Sequence, residues 1–207
     1  MKLSLAAALL CLSPLAQGCL LPEESTHESI GVERRQTNTN TGIPIGTGDR
    51  FKGGKIAPRG LGTRAPGADL GNLLSVKEIE TAFKGLAKEY GFKTFNSPYK
   101  TYEKRSIFGG VITGRGSCPR VFFNAAIHAR ERGSSDNLLY FLGDLLYANK
   151  KRTGLAFGGR TYTYKDVQKA LSAGIVFLPL SNPDGVAWDQ KTNSSVCIVP
   201  LNSVIFF

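Results

Sequence analysis

The sequence predicts an α/β fold, a three-layer sandwich around a mixed, mainly parallel sheet, and three observations point there. Val76, Ile79, Phe83, Leu86 and Tyr90 recur every three or four residues, which marks an amphipathic helix. Two compact apolar runs, Val121–Ile127 and Gly174–Leu180, read as buried strands. Between them Leu138, Phe141, Leu142 and Leu145 mark one face of a further helix, so strands and helices alternate.

Taken in order, Ser75 and Glu78 have the spacing of a capping box, and Gly91 follows the first helix as a stop signal. Lys93 to Thr113 alternates loosely and contains Phe108-Gly109-Gly110, read as turn chemistry, so one or two antiparallel strands are expected. Val121–Ile127 is expected to be a central strand. Gly133-Ser134-Ser135-Asp136 resembles a helix start, and that helix should end near Asn149. Within it, Asp136 reads as helix-start chemistry and Asp144 as a charge on the helix surface. Tyr164–Leu171 is a shorter helix candidate. Ser181-Asn182-Pro183-Asp184-Gly185 then breaks the last strand sharply. No internal repeat is visible.

The flanks differ in kind. Lys2, the apolar stretch Leu3–Leu15 and the small residues Ala16-Gln17-Gly18 read as a secretory signal peptide over 1–18, so an extracellular protein is expected. Residues 19–71 are rich in Gly, Thr, Asn, Pro and Arg, with low complexity at Thr37–Gly42. Disorder or a pro-segment is expected there. Arg34-Arg35 within it is either a dibasic processing site or a solvated pair. Residues 193–207 form an apolar tail without charge, opening on the glycosylation sequon Asn193-Ser194-Ser195.

The net charge of +10 permits polyanion binding, yet Lys and Arg are scattered and no basic stripe interleaves with aromatics. Neither a nucleic-acid partner nor a membrane partner is expected, since no apolar run spans a bilayer. Cys19, Cys118 and Cys197 remain once Cys11 leaves with the signal peptide, an odd number for an oxidising compartment. Either one thiol stays free or its partner lies outside this chain.

The residues that carry chemistry begin at His128, immediately beyond the carboxyl end of a strand, where crevices open in α/β sheets. His128 and Glu131 lie three residues apart, and imidazole nitrogen and carboxylate oxygen both suit zinc at about 2 Å. A catalytic zinc takes three protein ligands and leaves a position for the water it activates. The bare spacing is also met on any solvated surface turn. Placement at a strand end raises the metal reading beside that plainer one.

Val121–Ile127 followed by His128-Ala129-Arg130-Glu131, the amphipathic helix behind it, and Asn182-Pro183-Asp184-Gly185 after the next strand resemble the zinc metallocarboxypeptidases of the carboxypeptidase A/B type. The separation of 54 residues from His128 to Asn182 is similar to that family's. The resemblance covers residues 72–192, a partial zinc carboxypeptidase-like domain. Arg132 departs from it, standing where many members have an aromatic residue.

The resemblance implies that His128 and Glu131 bind one zinc ion and that Arg130 lines a substrate subsite. It implies a hydrolase that removes C-terminal residues from peptide or protein substrates, secreted if residues 1–18 act as the expected signal peptide. In the family, the third ligand, the oxyanion and carboxylate-binding arginines and the general base all follow the asparagine-proline-aspartate-glycine turn. Here only 22 residues follow Gly185, and the other histidine is His27. No catalytic residue is therefore assigned, and the chain as given is expected to be incomplete and inactive. The alternatives are a non-catalytic secreted zinc- or peptide-binding fragment or pseudo-enzyme, and a zinc amidohydrolase on the same fold.

Overall fold

Helix α1 (Val76–Tyr90) starts in this computed structural model with the capping box its sequence announces. The Ser75 side chain accepts the Glu78 N–H, and the Glu78 carboxylate accepts the Ser75 N–H. Gly91 ends the helix at φ 67°, a left-handed conformation that favours glycine. The residues described are 44–46, 48–62, 70–116, 118–157 and 159–192. The segment expected to be a signal peptide (1–18), Cys19, His27, Arg34-Arg35, Thr37–Gly42, Cys197, the sequon motif and the apolar stretch 193–207 lie outside them.

The remaining elements are β1 (Lys93–Lys100), β2 (Ser106–Ile112), β3 (Val121–Asn124), α2 (Ser134–Lys151), β4 (Leu155–Phe157), β5 (Arg160–Tyr162), α3 (Tyr164–Ser172), β6 (Ile175–Leu178) and α4 (Pro183–Thr192). The main sheet runs β1-β2-β6-β3, and β4-β5 form a separate hairpin. β1 and β2 pair antiparallel, as do β2 and β6, while β3 and β6 pair parallel with Phe123 opposite Phe177. The class is α/β with a mixed sheet, as the sequence predicts. Parallel pairing among the described strands is confined to that one pair, a smaller share than expected.

Phe177 on β6 is the pivot of the core. Phe83 of α1 and Phe92 pack on its ring at 5.9 and 5.4 Å, and Phe83 also meets Phe108 at 4.8 Å. On the same face Phe123 meets Phe141 of α2 at 6.0 Å. Phe95 and Phe122, on the opposite face, remain 38% and 60% exposed.

Four local expectations change. Gly109-Gly110 is no turn but the middle of β2, because a Cβ there would strike the Phe95, Phe177 and Phe92 rings within 2.4–2.7 Å. The hairpin reverses instead at Thr101–Arg105, where Lys104 takes φ 63°. β3 is an edge strand of the described sheet rather than a central one, and it stops at Asn124. The turn at Ser181–Gly185 does end β6, but it then leads straight into an unexpected helix, α4, with Pro183 at the first helical position, where its missing N–H has no cost.

The fourth change is the largest. Composition predicts disorder or a pro-segment over residues 19–71, and of that span residues 48–62 are ordered, forming a strap on the helical layer. Phe51 and Pro58 are buried. Arg50 reaches the buried Glu78 at 2.8 Å and the carbonyls of Asn72 and Leu73. Asp49 accepts the Thr81 hydroxyl at 2.9 Å. Polar residues with buried partners hold the strap, and these leave no apolar period to read.

Candidate metal centre

Beyond β3 the chain leaves the sheet through Ala125, whose N–H still donates to the Leu178 carbonyl at 2.9 Å. Ala126 then takes φ 54°, a left-handed conformation costing a non-glycine residue roughly 1–2 kcal/mol. Its surroundings fix it there. The Ala126 N–H donates to Ser134 Oγ at 3.0 Å, and the Ala126 carbonyl accepts the Asn182 N–H at 3.0 Å. Asn182 Nδ2 also donates to the Ile127 carbonyl at 3.3 Å. Asn182 thus grips two consecutive carbonyls immediately before His128.

The next four residues close on themselves. The Glu131 N–H donates to the His128 carbonyl at 3.2 Å, and Ser134 Oγ donates to the Glu131 carbonyl at 3.1 Å. His128 and Glu131 therefore share one turn at the carboxyl end of a strand. Glu131 is exposed, and His128 and Arg130 are half-buried. In kind, this imidazole and carboxylate suit zinc. In number they fall short of the three ligands of a catalytic site, and no three His, Cys, Asp or Glu side chains gather among the described residues.

The Asn182-Pro183-Asp184-Gly185 segment has a structural task. Asn182 Oδ1 accepts the Gly185 N–H at 2.9 Å and so caps α4. The buried Asp184 carboxylate accepts the Thr101 hydroxyl (2.8 Å), the Glu103 N–H (2.9 Å) and Arg105 (2.8 Å), tying the β1–β2 hairpin to this helix. Burial pushes the Asp184 carboxyl up, but these three donors outweigh it and hold the group below its ordinary range.

The zinc carboxypeptidase family model matches residues 79–196, more than half of the chain. The chain belongs to the zinc carboxypeptidase family. The match opens inside α1 and runs past α4, so it includes the His128–Glu131 turn and Asn182. This family is zinc-dependent. Solved structures similar to this zinc carboxypeptidase chain include that of thrombin activatable fibrinolysis inhibitor, with 19% identity, 59% of this chain and 28% of that chain covered, and a TM-score of 0.47. Another is the bovine protein of that name in complex with tick carboxypeptidase inhibitor, with 19% identity, coverage of 59% and 35%, and a TM-score of 0.45. The chain spans well under half the length of either. No curated protein matches it.

Sequence reasoning missed three residues of this frame. Asp144 looks like a surface charge but is buried, accepting the Gly60 and Gly62 N–H groups. Arg132 and Asp189 form an ion pair beside the turn. Asp189 lies on a helix that periodicity did not reveal. Asp136, read as helix-start chemistry, does stand in the first turn of α2, and its carboxylate also accepts the Leu74 N–H at 2.9 Å.

Proposed function

We propose that this chain carries the first part of the catalytic domain of a secreted zinc metallocarboxypeptidase, which removes C-terminal residues from peptides or proteins. The observation that carries the reading is the turn itself. Within a zinc-dependent family, it carries a histidine and a glutamate three residues apart in one backbone turn beyond a strand's carboxyl end, next to Asn182. His128 and Glu131 would hold the ion through a ring nitrogen and a carboxylate oxygen. Zinc, when bound, lowers the pKa of its water and polarises a substrate carbonyl. Arg130, on the same turn, would offer its guanidinium to a substrate oxygen, a geometry arginine suits through its forked donors. Secretion rests on residues 1–18.

The described residues supply no third ligand, and the other histidine in the sequence is His27. The chain as given is read as binding zinc weakly and hydrolysing nothing. Zinc titration and a C-terminal peptide cleavage assay test this. Weak binding that disappears in His128→Ala and Glu131→Gln is expected, whereas binding indifferent to both removes the reading. The shortage of donors equally favours a second reading, a non-catalytic zinc- or peptide-binding fragment or pseudo-enzyme. Chelator-sensitive cleavage by the 207-residue chain would exclude that second reading and overturn the expectation that this chain is inactive. Cleavage of N-acyl amino acids but not peptides would point to an amidohydrolase on the same fold.

A further inference from the structure

Arg132 directly follows Glu131 and leaves the turn toward α4. Its Nε donates to Asp189 Oδ2, and its Nη2 donates to the Asp189 carbonyl at 3.3 Å. The Asp189 side chain is 1% exposed and that of Arg132 25%. The second carboxylate oxygen, Oδ1, is buried and has no hydrogen-bond partner. A buried carboxylate satisfied on one oxygen depends on its cation to offset desolvation, so the pair resists separation. Beside it lies a cavity of only about 20 Å³, lined by Glu131 and Arg132 of the turn, Leu74 before α1, and Val186 and Gln190 of α4. That is room for about one water.

Asn182 grips the backbone just before His128, and Asp189 grips the residue just after Glu131. These anchors are seven residues apart, two turns of one helix or roughly 10 Å along its axis. A single rigid element therefore holds both ends of the turn.

We infer that Arg132 and Asp189 are positioning residues, an ion-pair latch that fixes the turn bearing His128 and Glu131 against α4. The latch stands on the geometry alone, and its purpose rests on the zinc reading above. It also gives a positioning task to an arginine that departs from the residue many family members carry there.

The test uses the full chain with Asp189→Asn, which keeps the shape, along with Arg132→Met and Arg132→Lys. Amide hydrogen exchange at Ala126 and Glu131 is expected to rise about tenfold in the Asn and Met variants, with α2 amides unchanged. Arg132→Lys should recover part of the protection. Exchange that is unchanged, or that rises equally throughout the chain, overturns the latch. Zinc titration followed by the His128 ring nitrogens, distinguishable from those of His27, separates the two claims. The Asn and Met variants should need about tenfold more zinc than the wild type. A wild-type ring that ignores zinc would sink the zinc reading, and the exchange result alone would then decide the latch.

Discussion

The Asp144 carboxylate, with no exposed surface, accepts the backbone N–H of Gly62 from a segment 82 residues upstream, and that of Gly60 beside it. An ionised acceptor satisfied by backbone donors is worth more than a neutral pair. It is not the only anchor. A Cβ on Gly143 would stand 2.0 Å from the Pro58 carbonyl oxygen, and one on Gly85 2.2 Å from that of Ile56. Two helices thus carry glycines where the strap's backbone presses closest. Residues 48–62 are built into the helical layer.

Gly143→Ala should therefore lift the strap off α2. The overlap is with backbone, which cannot rotate away, so a loss of about 1–3 kcal/mol is expected, the usual range for overpacking. Urea unfolding reads it directly. A midpoint equal to wild type would mean that the strap contributes nothing to the fold.

Ala126 offers the opposite case. Its left-handed φ of 54° strains any residue with a Cβ, whereas glycine adopts it freely. Glycine also loses more chain entropy on folding, by roughly 0.5–1 kcal/mol. Ala126→Gly should therefore be neutral to about 1.5 kcal/mol stabilising. At Ala82, in the interior of α1, the same change should cost about 1 kcal/mol. Thermal melts of the two variants compare them, and equal losses would refute the strain at Ala126.

The legibility of these features follows their physics. α1 was readable because its period, its capping box and its stopping glycine all agree. The turn was readable because the His128–Glu131 spacing and the Asn182 segment each carry a residue signature. The strap was not, because its hold comes from Asp49, Arg50 and backbone groups paired across long sequence separations. Gly109-Gly110 misled for a related reason. A glycine pair signals a turn locally, yet here it answers the Phe95, Phe177 and Phe92 rings brought in from other segments. Asp189 stayed hidden because α4 is short and begins at a proline that reads as a breaker.

Acid should test the buried carboxylates. Burial pushes Glu78 up, but hydrogen bonds from Arg50 and Ser75 outweigh it and hold the group below its usual 4.5. Asp184 is likewise held below 3.8. A carboxyl lowered in the fold contributes stability that is full above its unfolded pKa and lost as pH falls through the folded one. Asp136, raised chiefly by burial, acts in the reverse sense, losing its contribution as pH rises through its folded value. Unfolding midpoints should fall steeply below about pH 4. In a Glu78→Gln, Asp184→Asn double variant that slope should flatten, and an unchanged slope would assign the acid loss to other groups.

Phe122 stands 60% exposed on β3, which lies at the edge of the sheet among the described residues, where an exposed apolar ring on a sheet edge invites association. Phe122→Lys should raise solubility while moving the melting temperature little, because so little burial is lost. Light scattering against concentration measures the first effect. An unchanged aggregation onset would show that the strand is not the adhesive surface.

Asn182 allows the cap and the grip to be separated. Asn182→Ala removes both the Oδ1 acceptor for Gly185 and the Nδ2 donor to Ile127, while the backbone bond to Ala126 remains. Loss of a cap costs about 0.5–2 kcal/mol. Asn182→Asp keeps an acceptor for the Gly185 N–H but offers no donor to the Ile127 carbonyl. The aspartate variant should therefore hold most of the stability of α4 and still loosen the turn before His128. Denaturation reports the helix, and amide exchange at Glu131 reports the turn. If aspartate restores both, the side-chain grip on Ile127 has no role in placing His128, and the backbone bond from Asn182 to Ala126 suffices.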